Sequence, residues 1–191
     1  MAHITNAGTA NSTEANTAAV VGQTISRSQL ESYLSKATEP LVFEDCNFEG
    51  VDLSRLNLSG FEFRDCAFME ASLYAASLSQ TTWLRCRGRQ TDFEAAELVD
   101  ARFLNCDLNN TKWRRARLSS AVFRECKLTG ANFEEIAHLG LSFEESLLIG
   151  ANLREVDLGG LKLVDAKLFK GATISLNQAA ELLGELEITV A

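Results

Sequence analysis

The sequence predicts an all-β solenoid, a chain wound into stacked four-sided coils with five residues to a side and short helical caps. Three observations carry that prediction. From Phe43 a large residue recurs every five positions, through Phe48, Leu53, Leu58 and Phe63, as far as Leu168; of these 26 positions 24 are Leu, Phe or Trp, with no insertion. Two residues before each lies a second series, mostly small or apolar, such as Cys46, Val51, Leu56 and Cys66. Finally, the five cysteines Cys46, Cys66, Cys86, Cys106 and Cys126 fall at every twentieth position, as do the aromatics Phe43, Phe63, Trp83, Phe103, Phe123 and Phe143.

A period of five matches neither the alternation of a strand nor the 3.6 residues of a helical turn. A chain that bends sharply every five residues does match it, each side pointing one large and one small residue inward and three outward. The spacing of 20 closes each coil after four sides and stacks like on like. At ~4.8 Å between neighbouring strands, residues 41–170 make about 6.5 coils, a rod roughly 30 Å long with sides of ~16 Å. Such a rod is about as thick as a DNA duplex.

Each segment follows in order. Residues 1–24 are dominated by Ala, Thr, Asn, Ser and Gly, a composition that predicts a disordered tail. Within 25–40, Ser28-Gln29-Leu30-Glu31 reads as a capping box for a short helix over 29–36 that covers the first coil, and Pro40 marks its boundary. The solenoid occupies 41–172. Ser175-Leu176-Asn177-Gln178 opens a second capping box in 173–191, and the helix behind it places Ala179, Leu182, Leu183 and Leu186 at helical spacing. Glu187-Ile188-Thr189-Val190 alternates like an edge strand, which invites pairing.

The chain has 191 residues, 46% of them apolar, and a net charge of -8, a balance that disfavours direct contact with nucleic acid or an anionic membrane. No apolar run approaches the ~20 residues of a membrane helix, and the N-terminus lacks a basic start and an apolar block, so a soluble cytoplasmic protein is expected. The residues suggest no catalysis, cofactor or metal. Zinc ligands come in pairs two to four apart, not 20, and an odd column of five thiols reads as small buried residues filling one corner. His138 replaces a large inward residue without a catalytic partner in sequence, and Gly88 removes one, leaving a void or a compensating neighbour. Gly159-Gly160 does not match a phosphate loop.

The runs CNFEGVDLSRLNLSG, CDLNNTKW, CKLTGANFEE and GANLREVDLGG resemble the pentapeptide-repeat pattern Ala-(Asp/Asn)-Leu-x-x over residues 41–170. That resemblance implies a right-handed quadrilateral β-helix. SLNQAAELLGELEITV is similar to the C-terminal segment of the members that protect type II topoisomerases from quinolones, albicidin or microcin B17. It implies a homodimer joined through that segment, with Leu182, Leu183, Leu186, Ile188 and Val190 at the interface. The uninterrupted frame lacks the projecting loops of the plasmid quinolone-resistance members and looks closer to the albicidin- and microcin-type self-immunity proteins.

Function is then expected on the surface. Segment 41–84 holds 2 basic and 7 acidic residues, 85–127 holds 10 and 6, and 128–170 holds 4 and 7, so a basic waist separates acidic ends. One outward column, Asp45, Asp65, Arg85, Asn105, Glu125, Glu145 and Asp165, is acidic at five of seven levels, with Glu44 and Glu144 beside it and Glu134 and Glu135 on a neighbouring side. Asp45, Asp65, Glu125, Glu134, Glu135, Glu144, Glu145 and Asp165 are the expected contacts for a basic DNA channel. In the resembled subgroup such mimicry directs the protein onto DNA gyrase or topoisomerase IV. Two other readings stand beside it: an exported effector, suggested by the Ser/Thr/Asn-rich N-terminus, and a scaffold with no topoisomerase link.

Overall fold

The computed structural model describes residues 19–156 and 167–184, with the side chains of residues 181, 182 and 184 excepted. It is a parallel solenoid of about six turns. Strands β1 (Ala19–Val21), β2 (Val42–Glu44), β3 (Glu62–Arg64), β4 (Thr82–Leu84), β5 (Arg102–Leu104), β6 (Val122–Arg124) and β7 (Ser142–Glu144) stack in chain order as one seven-stranded parallel sheet. From β2 to β7 the register steps to the twentieth position onward at each layer, as in Phe43 beside Phe63 and Phe123 beside Phe143. This sheet is one side of the rod, called face 1 below. Single bridges at the same spacing, such as Asn47 with Ala67, Asp52 with Ser72 and Asn57 with Ser77, build faces 2, 3 and 4.

Turn chemistry explains the five-residue side. On faces 2, 3 and 4 the amide three residues on bonds back to the large residue's carbonyl, as Val51 to Phe48 at 3.1 Å and Ala76 to Leu73 at 3.0 Å. The second residue after the large one has positive φ, +59° at Glu70 and +53° at Ala75, which is the signature of a type II turn. Asp or Asn just before the large residue locks the corner: Asp52 Oδ1 accepts from the Ser54 amide at 2.9 Å and Asp92 Oδ1 from the Glu94 amide at 2.9 Å. Several carboxylates of the repeat are therefore occupied by backbone.

The large residues meet along the axis as stacked rings. Phe93 and Trp113 lie 4.2 Å apart at 2°, and Phe103 and Phe123 4.8 Å apart at 5°. Rings of face 1 meet those of face 3 edge on, as Phe103 meets Trp113 at 5.5 Å and 86°, the arrangement that ring quadrupoles favour. Each buried indole N–H is satisfied two residues upstream. Trp83 Nε1 donates to Thr81 Oγ1 at 2.9 Å, and that hydroxyl donates to the Leu78 carbonyl at 2.7 Å; Trp113, Thr111 and Leu108 repeat the relay at 2.7 and 2.7 Å.

The cysteines are free and buried, and they do more than fill a corner. At the corner after face 1 four thiols donate to the carbonyl of the aromatic residue 23 positions earlier, Cys66 to Phe43 at 3.4 Å, Cys86 to Phe63 at 3.3 Å, Cys106 to Trp83 at 3.4 Å and Cys126 to Phe103 at 3.4 Å, while Cys46 donates to the Val20 carbonyl of β1 at 3.3 Å. Ser146 continues the column in the same role, donating to the Phe123 carbonyl at 3.1 Å and accepting the Cys126 amide at 3.0 Å. Burial pushes the Cys46 and Cys86 thiols up, so they stay protonated donors. Gly88 is compensated by neighbours: a Cβ there would stand 3.1 Å from both Leu108 Cδ2 and Thr91 Oγ1.

Both ends differ from the expected frame. Residues 19–24 are not tail: β1 pairs in parallel with β2, and Thr24 bridges Asn47. A short run such as Ala-Val-Val carries no periodicity of its own, and the sheet edge orders it. The first helix, α1 (Arg27–Leu34), starts two residues before the expected one because Ser26, not Ser28, caps it: the Gln29 amide donates to Ser26 Oγ and the Ser26 amide to Gln29 Oε1. At the other end the uninterrupted frame fails. Asn152 bridges Thr173, a step of 21 rather than 20, and the Gly150 amide bonds to the Lys170 carbonyl where the regular coil uses a residue one closer. Phe169, Ala172 and Ile174 thus pack against the core as the counterparts of Leu148, Ala151 and Leu153. From Lys167 on the frame is one residue out of step, so Leu168 no longer holds the large inward place. The expected inward Leu158 and Leu163 lie outside the described residues.

Helix α2 (Leu176–Gly184) begins as its capping box predicts, with the Ser175 amide donating to Gln178 Oε1 at 2.6 Å and the Gln178 amide to Ser175 Oγ at 3.3 Å. The buried Gln178 amide group also donates to the Leu153 carbonyl at 2.7 Å and to the Val156 carbonyl, tying the helix to the open coil.

Candidate partner-binding surface

The coil length of 20 turns outward columns into ladders, so a charge meets the residue 20 positions away. Arg85 grips Asp65 with two bonds of 2.7 and 2.6 Å. Arg117 reaches Glu97 at 2.8 Å, Arg115 reaches Glu135 at 2.7 Å and Arg124 reaches Glu144 at 2.6 Å, each across one coil step. Arg114 adds a 3.3 Å contact to Glu135, and Arg89 meets Asp107 at 3.2 Å. Six of the ten basic residues of the waist are thereby paired. Arg87, Arg102, Lys112 and Lys127 make no ion pair among the described residues.

The expected acidic contacts sort into two groups. Asp65, Glu135 and Glu144 are consumed: the Arg85, Arg115 and Arg124 hydrogen bonds hold their carboxyls below the usual carboxylate range. Asp45, Glu125 and Glu145 are exposed and make no ion pair among the described residues, nor does the half-buried Glu134. Asp45, Glu125 and Glu145 all sit at the corner after face 1, each with positive φ, which throws the carboxylate off the edge of the rod. Asp165 lies outside the described residues. The described members of the expected column, Asp45 to Glu145, stack at one corner, and their like charges are interrupted by vertical pairs, which are visible once charges are compared at a spacing of 20.

Of the expected dimer residues, Leu183 is half-buried; Leu182 belongs to α2 with its side chain undescribed, and Leu186, Ile188 and Val190 lie outside the described residues. Leu176, at the start of α2, is 76% exposed. His138 is half-buried at the end of face 4, with Nε2 2.8 Å from the Glu155 carbonyl oxygen. Among the described residues no cluster of three or more His, Cys, Asp or Glu is placed to hold a metal ion, and no helix is long and apolar enough to cross a membrane.

Face 1 was not singled out in the sequence as a surface. Its strands point two residues outward per layer, Thr82 and Leu84 in β4, Arg102 and Leu104 in β5, and Val122 and Arg124 in β6, so that Leu84, Leu104 and Val122 form a narrow apolar strip between two exposed arginines. The Arg64–Glu62 pair at 2.7 Å and the Arg124–Glu144 pair flank that strip above and below.

Residues 61–133 match the family model described as a pentapeptide repeat region. No curated protein matches the chain. Among solved structures, QnrB1, a plasmid-mediated fluoroquinolone resistance protein, is similar at 23% identity over 91% of this chain and 97% of that one, with a TM-score of 0.33. HetL, a pentapeptide repeat protein involved in heterocyst differentiation regulation in the cyanobacterium Nostoc, is similar at 17% identity over 83% and 84%, with a TM-score of 0.50. A pentapeptide repeat protein of the Arabidopsis thaliana thylakoid lumen is similar at 26% identity over 65% and 80%, with a TM-score of 0.29. Residues 61–133 are thus a pentapeptide repeat region, set on a parallel four-sided coil that continues beyond it on both sides.

Proposed function

We propose that this protein is a DNA-mimicking rod that binds a bacterial type II topoisomerase, DNA gyrase or topoisomerase IV, and shields it from a topoisomerase poison. The carrying observation is the charge left over after pairing. Most waist arginines are cancelled within the rod, whereas Asp45, Glu125 and Glu145 lie exposed at one edge and make no ion pair among the described residues. A rod of duplex width with anionic groups along an edge offers a cationic DNA channel the charge it is built to accept. The resemblance of the C-terminal segment to topoisomerase-protecting members supports the same reading, with a homodimer joined through that segment.

The test is a gyrase supercoiling assay with the purified full chain, with and without albicidin, microcin B17 and ciprofloxacin. Rescue of supercoiling from one poison is expected. No rescue from any of them, and no inhibition at tens of micromolar, overturns the reading in favour of an effector or a scaffold.

A further inference from the structure

The outer surface of face 1 has the anatomy of a docking site: a narrow apolar strip, an ionic border and, along one edge, acids that make no ion pair among the described residues. We propose that this face binds a cationic amphipathic helix of a partner protein, laid along the rod axis across Leu84, Leu104 and Val122 with its Lys or Arg flank on Glu125 and Glu145.

Geometry favours a helix in that direction. Successive layers of face 1 are ~4.8 Å apart, and a helix advances about 5.4 Å per turn, so one apolar residue per turn meets one coil. Apolar positions at i and i+4 meet Leu84 and Leu104, which stand in one column, and a third at i+7 meets Val122 on the other side of the next strand, while basic residues one turn apart match Glu125 and Glu145, which are one layer apart. Leu84 and Leu104 stand in adjacent strands at the same register and are half-buried by their neighbours, leaving a shallow strip rather than a pocket. Strand pairing by a partner is not available in the middle of this face, because β4, β5 and β6 are hydrogen-bonded on both sides.

Charge decides the occupant. The column Glu44, Arg64, Leu84, Leu104, Arg124, Glu144 reads the same in both directions. Two copies of this chain set face to face antiparallel and in register therefore oppose Glu to Glu and Arg to Arg, and set parallel they oppose Leu104 to Arg102 and Val122 to Arg124. The helices of this chain cannot substitute, since α1 carries a single basic residue, Arg27, and α2 none. The exposed Arg102 opens β5, at the end of the strand away from the Glu125 and Glu145 corner, so the basic flank of the helix belongs on the acidic edge alone. A foreign helix with one basic flank satisfies the strip and the edge together. The inference needs only that the rod binds a protein, the broadest part of the proposed function, and does not depend on that protein being a topoisomerase.

The probe is a synthetic Leu/Lys amphipathic helix of about 13 residues, the length that spans four layers at about 1.5 Å per residue. It is titrated into the full chain with labelled Leu and Val methyl groups. Methyl shifts confined to Leu84, Leu104 and Val122 are expected, with affinity lowered at least tenfold by Leu84→Asp plus Leu104→Asp and unchanged by Val99→Asp on face 4. Shifts elsewhere overturn the inference, as does equal affinity for a peptide with Ser in place of Leu, which would leave charge alone as the cause. Because the shifts are read on the unsubstituted protein, misfolding of the double variant does not block the test. Peptide docking on face 1 without any effect on gyrase upholds this inference while defeating the function proposed above.

Discussion

The coils between Phe61 and Phe133 and the closing coil from His138 to Ile174 use the same five-residue code with different degrees of enforcement. In the middle, each layer is tied to the next by stacked rings, a thiol donor and, beneath each tryptophan, a threonine relay. In the closing coil a half-buried His138 takes the place of a leucine, Phe143 is only half-buried, Ser146 replaces a cysteine and the frame shifts by one residue. Redundant ties hold the period at 20, and where they thin out the frame can shift and the chain finish with a helix. Since each layer of a solenoid is stabilised chiefly by its neighbours, weaker ties at one end make that end the first to open.

The largest expected effect is in the middle. Trp113→Ala removes a ring stacked on Phe93 and Phe133 and should destabilise the rod by about 3–5 kcal/mol in denaturant unfolding. Phe143→Ala should lose less than half of what Phe103→Ala loses; equal losses would erase the contrast between the regions. Next comes the thiol column. Cys86→Ala, which deletes a buried donor to the Phe63 carbonyl, should lose about 1–2 kcal/mol. Cys86→Ser should lose less, because Ser146 already plays this role in the closing coil. A third effect has the opposite sign. Ala95 is exposed with φ +58°, so Ala95→Gly should raise stability by about 0.5–1 kcal/mol.

The smallest effect is electrostatic. The carboxyls of Asp65, Glu135 and Glu144 are depressed by their arginine partners, so their contribution is present above the unfolded carboxylate range of about 4 and is lost as pH falls through their folded values. These pairs are exposed, so acid melting should show a shallow loss below about pH 4 that salt reduces.

The sequence disclosed the fold through Phe, Leu and Cys spacing because a stacked coil repeats each inward environment once per turn, and large side chains cannot stray from it. It disclosed less at the ends. Ala19–Val21 has no pattern apart from the sheet that orders it, and the shifted frame after Lys167 shows only as Phe169-x-x-Ala172-x-Ile174 echoing Leu148-x-x-Ala151-x-Leu153 at a spacing of 21. For the candidate surface, the column of Asp45, Glu125 and Glu145 was legible. The cancelling of Asp65 by Arg85 and of Glu144 by Arg124 emerges only when opposite charges are compared at a spacing of 20 along a column, where charges summed by segment hide it. Face 1 was overlooked for a similar reason: Leu84 and Leu104 fall outside the inward frame and look like scattered apolar residues until the strands are placed side by side.

The most direct test of the central claim is the affinity of immobilised DNA gyrase for the full chain and for the variant Asp45→Lys, Glu125→Lys, Glu145→Lys, with circular dichroism confirming an intact β-helix. The account predicts binding by the native protein and at least a tenfold loss in the variant. Equal affinity of the two, or no binding by either, would contradict it.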